Sequence, residues 1–159
     1  MTIAIDPGKS GGFAFVDRYS DVAAEAMPDT EGDIITELAD MTYSSESEKV
    51  CIMEVVSGYI GAPQPGSAMF KFGENYGFLK GVIMSNGFKL HLVRPQEWQK
   101  GLGLGNSRGM KKTAWKNKLK AEAQRLYPHL KVTMKTADAL LILEYYQRIF
   151  KPLEHEQSK

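Results

Sequence analysis

The sequence predicts a single α/β domain with a five-stranded mixed sheet, antiparallel over the first three strands and parallel beyond them, flanked by helices. Three short apolar stretches separated by turns open the chain, and each of two later apolar strands follows a helical segment. Strands joined by tight turns pair antiparallel, whereas strands joined through a helix usually pair parallel. The length of 159 residues suits one domain with a sizeable core.

The first strands are predicted at residues 2–6, 11–16 and 21–26. The first two are joined by PGKSG, whose proline and glycines are typical of a hairpin turn. A helix is predicted from Thr30 to Met41, where aliphatic residues recur at helical spacing and acidic residues fill the first turn. KVCIMEVV, residues 49–56, is a continuous apolar run, as expected of a strand buried on both faces.

A long helix is predicted from about Ser67 to Ser85. Its apolar stripe comprises Met69, Phe72, Tyr76, Leu79 and Ile83. Gly73, Gly77 and Gly81 repeat every four residues along an adjacent face, although a glycine within a helix costs about 1 kcal/mol. Three glycines in register predict the close approach of another backbone, which is either the sheet or a partner helix in a dimer.

The remaining elements are a strand at 88–93, a short helix in RPQEWQKGL, a glycine-rich loop at 101–109, a basic helix from Lys111 to Leu126 and a helix from about Thr136 to Phe150. No linker or repeat divides the chain. One domain is therefore predicted over residues 1–159, with a polar tail from about Pro152.

The composition is that of an ordinary globular protein, with 43% hydrophobic and 25% charged residues. No stretch of 18 apolar residues and no signal peptide is recognisable, and the first strand begins almost at Met1, so we expect a cytoplasmic protein that does not bind membranes. Cys51 is the only cysteine and lies in an apolar run, which predicts a buried thiol and excludes both a disulfide framework and a cysteine-based metal cluster.

The net charge of +1 conceals two oppositely charged regions. Between Asp17 and Glu54, eleven carboxylates are opposed by two basic side chains, whereas between Arg94 and Lys135 eleven basic side chains are opposed by two carboxylates. So dense a basic region, which contains GNSRGMKKTAWKNKLK, favours binding to a polyanion over a merely solvated helix face. Nucleic acid is therefore the expected partner.

Three carboxylates interrupt apolar patterns and are the candidate catalytic residues. Asp6 ends the first strand, Glu54 lies in CIMEVV, and Asp138 lies in the first turn of the last helix. Taken singly, they could be a turn cap, a solvent-facing strand end and a partner for the helix dipole. The strand order places Asp6 beside Glu54, however, and three converging acids raise one another's pKa values unless a cation compensates them. Oxygen ligands of this kind suit Mg²⁺ or Mn²⁺.

Other chemistries find less support. The histidines, His91, His129 and His155, lack metal-ligand spacing, no serine nucleophile elbow is present, and DPGKSGG lacks the spacing of a Walker loop. The glycine-rich turn could hold a nucleotide phosphate in the manner of the actin and hexokinase ATPases. Those proteins need two duplicated domains, and this chain has room for one.

IAIDPGKSGGFAF, CIMEVV and TADALLILEYY, in this order and at these distances, resemble a RuvC-type Holliday-junction resolvase of the ribonuclease H-like superfamily. SAMFKFGENYGFLKGVI is similar to that family's central helix, HLVRPQEWQK to its following strand and helix entry, and the lysine-rich helix to its DNA-facing segment. The similarity covers most of residues 2–148. The short, irregular copy resembles a phage or otherwise divergent member, which would act in a bacterial or phage-infected cytosol.

The resemblance implies a recombination and repair enzyme that cuts four-way DNA junctions by paired symmetric nicks, leaving 5′-phosphate and 3′-hydroxyl ends. It implies a homodimer, for which the 67–85 helix is the expected interface. It also implies that Asp6, Glu54 and Asp138 hold two Mg²⁺ ions, replaceable by Mn²⁺, with Asp6 shared between them. The family usually has a histidine or aspartate one turn before the last aspartate, where this chain has Lys135. Because a protonated lysine cannot bind a cation, Lys135 could instead contact the scissile phosphate or the leaving group. Either the second metal ion is then held more weakly, or a residue outside the motif contributes a ligand.

DNA contacts are predicted beside Asp6 and along the basic segment, at Lys9, Ser10, Tyr59, Lys100, Arg108, Lys111, Lys112, Lys116 and Lys118. Tyr59, in the loop after Glu54, either stacks on an unpaired base or is an ordinary loop tyrosine. Two other functions stay open. One is a ribonuclease H-like nuclease acting on RNA–DNA hybrids, flaps or branched replication intermediates. The other is a junction-binding module with weak catalysis, suggested by Lys135.

Overall fold

The computed structural model describes residues 1–16, 19–42, 48–56 and 65–153. The five strands are β1 Thr2–Asp6, β2 Gly12–Val16, β3 Val22–Ala26, β4 Val50–Glu54 and β5 Lys89–Val93. The helices are α1 Glu31–Thr42, α2 Gly66–Ser85, α3 Pro95–Gly101, α4 Lys112–Leu126 and α5 Ala137–Tyr145, and α5 continues as a π-helical turn, Tyr146–Phe150.

The strands form one sheet in the order β3-β2-β1-β4-β5. β2 pairs antiparallel with both β1 and β3, whereas β4 pairs parallel with both β1 and β5. This topology confirms the predicted mixed sheet, and each predicted element lies within about two residues of its expected bounds. The topology leaves β1 at the centre of the sheet, between its antiparallel and parallel halves.

Alternate residues of the central strands face opposite layers of helices. Ala4 and Ile52 belong to the core between the sheet and α3, α4 and α5. Their neighbours along each strand pack against α1 and α2 on the other side. Asp6 and Glu54 follow Ala4 and Ile52 by two residues, so the strand period directs both carboxylates toward the layer that contains α5.

α5 is the most deeply buried helix. Every residue from Ala137 to Tyr145 is buried, which explains a sequence, ADALLILEY, that is apolar almost all round. Reciprocal hydrogen bonds between Thr133 and Thr136 lead into it: each backbone N–H donates to the other hydroxyl, at 3.0 and 3.2 Å. Asp138 therefore enters the core from a fixed first turn.

Side-chain hydrogen bonds fasten α4 to α5. The amide of Gln124 donates to the carbonyl of Leu130 at 2.8 Å and accepts from the backbone N–H of Val132 at 3.2 Å, which orders the connecting loop. Beyond the last residue of α4, the hydroxyl of Tyr127 donates to Oε2 of the buried Glu144 at 2.5 Å. These contacts fix how the two helices sit against each other.

The buried residues of α2, Leu79 and Ile83, lie in its second half, whereas Phe70 is 71% exposed and Met84 is 55% exposed. The three helix glycines face open space, because a Cβ built on any of them meets no described atom within 4 Å. Close packing on the sheet is therefore the wrong explanation for these glycines, and the partner helix stays a prediction. No helix in the described ranges has the length and apolar character of a membrane span.

Candidate active site

Asp6 and Glu54 end two adjacent strands at the same end of the sheet. In the parallel pair of β1 and β4, Ile5 is in register with Met53, so the two acidic residues follow side by side. Oε2 of Glu54 accepts a hydrogen bond of 2.8 Å from the indole N–H of Trp98 on α3. Because Trp98 is fully buried, this bond gives the Glu54 carboxylate a defined orientation.

Asp138 reaches the same end of the sheet from the first turn of α5. It is 5% exposed, and its Oδ2 accepts a hydrogen bond from Nζ of Lys116 on α4, with which it forms an ion pair. Its other oxygen, Oδ1, is buried and has no hydrogen-bond partner among the described residues. A buried acceptor without a donor is unfavourable unless a water molecule or a cation satisfies it. Asp138 therefore offers an unused ligand position.

The carboxylates influence one another electrostatically. Burial raises the pKa of Asp6 to about 8, and the negative charges of Asp138 and Glu54 add to this increase. Burial likewise raises the pKa of Glu54 to about 6, although the hydrogen bond from Trp98 acts in the opposite direction. Burial acts to lower the pKa of Lys116, but the surrounding carboxylates outweigh it and raise that pKa above its ordinary value. Such a cluster of perturbed groups is typical of a functional site.

The donor chemistry of this cluster fits a divalent cation. Carboxylate oxygens are the ligands that Mg²⁺ and Mn²⁺ prefer, and the unpartnered Oδ1 of Asp138 is an acceptor that such an ion would satisfy. In their present positions, no three carboxylate, imidazole or thiol groups of the described residues stand close enough to enclose one ion. Within the part of the chain that the structure describes, the ammonium of Lys116 supplies the positive charge that acts on both Asp6 and Glu54.

Glycine is required at Gly11 and Gly12, because a Cβ at either position would collide with backbone atoms of the same chain. A Cβ on Gly11 would lie 2.0 Å from the carbonyl oxygen of Asp6, and one on Gly12 would lie 2.8 Å from the carbonyl oxygen of Lys135. The turn thus lets the loop before α5 approach β2 closely, which brings Asp138 to the end of β1. The side chain of Lys135 is exposed.

Most of the predicted DNA-binding side chains are exposed. Lys9 and Ser10 lie in the turn after Asp6, and the others surround the loop between α3 and α4, at Lys100, Arg108, Lys111 and Lys112. Tyr59 lies outside the described residues. Contact between these residues and DNA stays a prediction.

Two predicted DNA-binding lysines have partners within the protein. Lys116 is paired with Asp138, as described above. Nζ of Lys118 donates a hydrogen bond of 2.8 Å to the carbonyl of Leu104 and lies 5.2 Å from the centre of the Trp115 ring. Lys118 therefore ties α4 to the glycine-rich loop that carries Arg108.

Trp98 is not among the predicted site residues, and Lys116 is predicted to contact DNA rather than a carboxylate. A signal for Trp98 was available, because α3 starts directly after β5 and β5 adjoins β4. Lys116 follows Trp115 in sequence, and Trp115 begins the buried stripe of α4 that continues through Leu119 and Ala123. That position beside a buried stripe is compatible with either a solvated or a half-buried lysine, so the pattern alone does not identify the ion pair.

No protein-family model and no curated protein matches the sequence. Solved structures do match. T. thermophilus RuvC in complex with a Holliday junction substrate has a TM-score of 0.60 at 15% identity, over 93% of this chain and 95% of that chain. The Thermus thermophilus RuvC structure has a TM-score of 0.53 at 14% identity, over 94% and 96% of the two chains. The chain therefore has the RuvC-type, ribonuclease H-like fold over nearly its whole length.

Proposed function

We propose that this protein is a metal-dependent endonuclease that resolves four-way DNA junctions by paired symmetric nicks, leaving 5′-phosphate and 3′-hydroxyl ends. The observation that carries the proposal is the convergence of Asp6, Glu54 and Asp138 at one end of the sheet, in a RuvC-type fold. The solved RuvC with TM-score 0.60 is itself in complex with a Holliday junction substrate, which supports branched DNA as the substrate class.

Asp6, Glu54 and Asp138 would hold two Mg²⁺ ions, for which Mn²⁺ is the expected substitute, with Asp6 contributing to both positions. Such ions supply an activated water and stabilise the charge on the leaving 3′ oxygen. The protein's own contribution is to hold the side chain of Glu54 in a defined orientation and Asp138 in a buried position. Trp98 orients Glu54 through its indole N–H, and the buried first turn of α5 fixes Asp138.

The DNA would lie across the exposed basic side chains around the α3–α4 loop and the turn after Asp6. Their positive charges neutralise phosphates and release bound counter-ions, so the affinity for DNA should fall steeply with salt. Lys118 would act indirectly, because its hydrogen bond to Leu104 supports the loop on which Arg108 lies. Lys135, which is exposed in the loop before α5, would contact the scissile phosphate or the leaving group.

Paired nicks need two active sites, and the second would come from a second copy bound along α2. An exposed stripe supports this arrangement, formed by Phe70, Gly73, Gly77, Gly81 and Met84. Their 3-4-4-3 spacing puts them on one side of the helix. Phenylalanine and methionine would pack against the partner, and the glycines would allow the helices to approach closely.

The decisive experiment compares the cutting of four substrates in Mg²⁺: a synthetic four-way junction, linear duplex, an RNA–DNA hybrid and a flap. We expect selective nicking of the junction, and we expect Asp6→Asn to bind the junction normally while losing cleavage by about a thousandfold or more. Asp40→Asn, which changes an exposed carboxylate on α1, is the matched control and should cut normally.

Other outcomes would replace the proposal. Preferential cutting of the hybrid or flap would indicate a ribonuclease H-like nuclease with a different substrate. Junction binding without cutting of any substrate would indicate a binding module, in which Lys116 serves as the permanent partner of Asp138. Cutting by Asp6→Asn at the wild-type rate would overturn the assignment of the metal ligands.

A further inference from the structure

Lys116 lies where α4 faces the first turn of α5. Its ammonium donates a hydrogen bond to Oδ2 of Asp138 and interacts electrostatically with Asp6 and Glu54. It is the cation that acts on both Asp6 and Glu54 among the described residues. Lys116 therefore supplies positive charge at the position where the proposed function needs a divalent cation.

The two partners of this ion pair differ in their freedom to move. The side chain of Asp138 is 7% exposed and belongs to a helix that is buried throughout, whereas the side chain of Lys116 is 36% exposed. The backbone of Lys116 is held by its buried neighbours Trp115 and Leu119. Rotation about the bonds of the long lysine side chain is thus the least costly way to separate Lys116 from Asp138, because it leaves both helices in place.

The charges make simultaneous occupation unfavourable. A divalent ion bound to Asp138 would lie within a few ångströms of the lysine ammonium, and like charges at such distances repel strongly in a partly buried site. One oxygen, Oδ1, is free to receive the ion, while the other is occupied by Lys116. The ion can therefore bind at Oδ1 first and displace the ammonium from Oδ2.

We infer that Lys116 is a displaceable internal counter-ion, which holds Asp138 in the metal-free protein and releases it when a divalent cation binds. This inference rests on the proposed metal site. Once released, the ammonium is free to pair with a DNA phosphate at the same end of the sheet. DNA then favours the released lysine, so DNA binding raises the affinity for metal, and by linkage metal raises the affinity for DNA.

The inference is tested by Mn²⁺ binding without DNA, measured by isothermal titration calorimetry and by the electron paramagnetic resonance signal of free Mn²⁺. Lys116→Gln should bind Mn²⁺ about tenfold more tightly than the wild type, because the competing charge is gone. Lys116→Arg keeps the charge and should stay within about twofold of the wild type. Lys120→Gln removes a charge one turn further along α4 and is the matched control, with unchanged affinity expected.

Equal or weaker Mn²⁺ binding by Lys116→Gln, with measurable binding by the wild type, would overturn the inference and leave the proposed metal site intact. Absence of Mn²⁺ binding in the folded wild type and in every variant would overturn the proposed metal site itself, and the inference with it. If Lys116→Gln does not fold, Lys116→Met, which keeps much of the apolar side chain, replaces it in the same comparison and must show the same tightening.

Discussion

The position of Asp6 has opposite consequences for the proposed metal binding and for the stability of the metal-free protein. Its position at the end of β1 puts its carboxyl beside Glu54 and near Asp138, where the proposed metal ions would bind. The same position makes its ionised form unfavourable in the metal-free protein, because burial and neighbouring negative charges both oppose it. Functional groups of this kind are commonly retained at the expense of stability.

The metal-free protein should lose stability as the pH rises from about 4 to about 8. The pKa of Asp6 is raised from 3.8 to about 8 by folding, so in this range the folded protein binds more protons than the unfolded chain. The free energy of unfolding then falls with pH and levels off above pH 8. Glu54, with a pKa of about 6, adds to the decline between about pH 4.5 and 6.

Urea unfolding in EDTA at several pH values measures this effect. Asp6→Asn cannot ionise at this position and should show a much shallower decline, and it should be the more stable protein at pH 8. At pH 8, added Mg²⁺ should increase the free energy of unfolding of the wild type more than that of Asp6→Asn. A wild-type profile that parallels that of Asp6→Asn from pH 4 to pH 8 would contradict the prediction.

At the scale of elements, the α4–α5 pair is the framework that positions the site. Lys116 joins the two helices near their first turns, and Tyr127 joins the chain after α4 to Glu144 near the end of α5. Glu144 also pairs with Arg148 in the π-helical turn. These two hydrogen bonds lie at opposite ends of the helix pair, so the one from Tyr127 can be removed while the carboxylate site is left untouched.

Tyr127→Phe removes only the hydroxyl that donates to Glu144. We expect the free energy of unfolding to fall by about 1–3 kcal/mol, because a buried carboxylate oxygen loses its donor. Mn²⁺ affinity should stay unchanged, because Asp6, Glu54 and Asp138 keep their neighbours. Equilibrium unfolding in urea and a Mn²⁺ titration test the two halves of the prediction separately. A variant as stable as the wild type would show that the hydrogen bond contributes no net stability.

The strands, the helices and the positions of Asp6 and Glu54 were predictable from the sequence because they depend on local periodicity. The two-residue period of β1 and β4, together with parallel pairing, is enough to put Asp6 beside Glu54. The pairing of Lys116 with Asp138 depends on how α4 is rotated against α5, which tertiary packing decides. Similarly, the glycine pattern in α2 predicts a close approach, but it does not say whether the sheet or another molecule makes it.

At the scale of the whole molecule, the sheet separates the acidic helix α1 from the basic helix α4. α1, which lies in the acidic region, packs on one face of the sheet, whereas the basic α4 packs on the other face together with α5. The carboxylates lie on the basic side of the sheet, in the layer that contains α4 and α5. A polyanion would therefore be attracted to the side that carries the site and repelled from the opposite side, which favours one orientation of bound DNA.

We predict that two copies of the protein associate through α2. Gly77→Glu places a charged, bulky side chain in the middle of the exposed stripe, and its Cβ has open space, so the fold should tolerate it. We expect the wild type to sediment as a dimer and Gly77→Glu as a monomer, because a buried unpaired carboxylate would oppose the interface.

Gly32→Glu makes the same substitution in α1, where the nearest atom to the new Cβ is Thr30 Oγ1 at an ordinary 3.8 Å, and it should sediment as the wild type does. Because each copy would supply one active site, the monomeric variant should nick one strand of a junction without the coupled second cut. A wild-type protein that stays monomeric at micromolar concentrations, alone and on a four-way junction, would rule out α2 as a dimer interface. The exposed Phe70 and Met84 would then require another explanation.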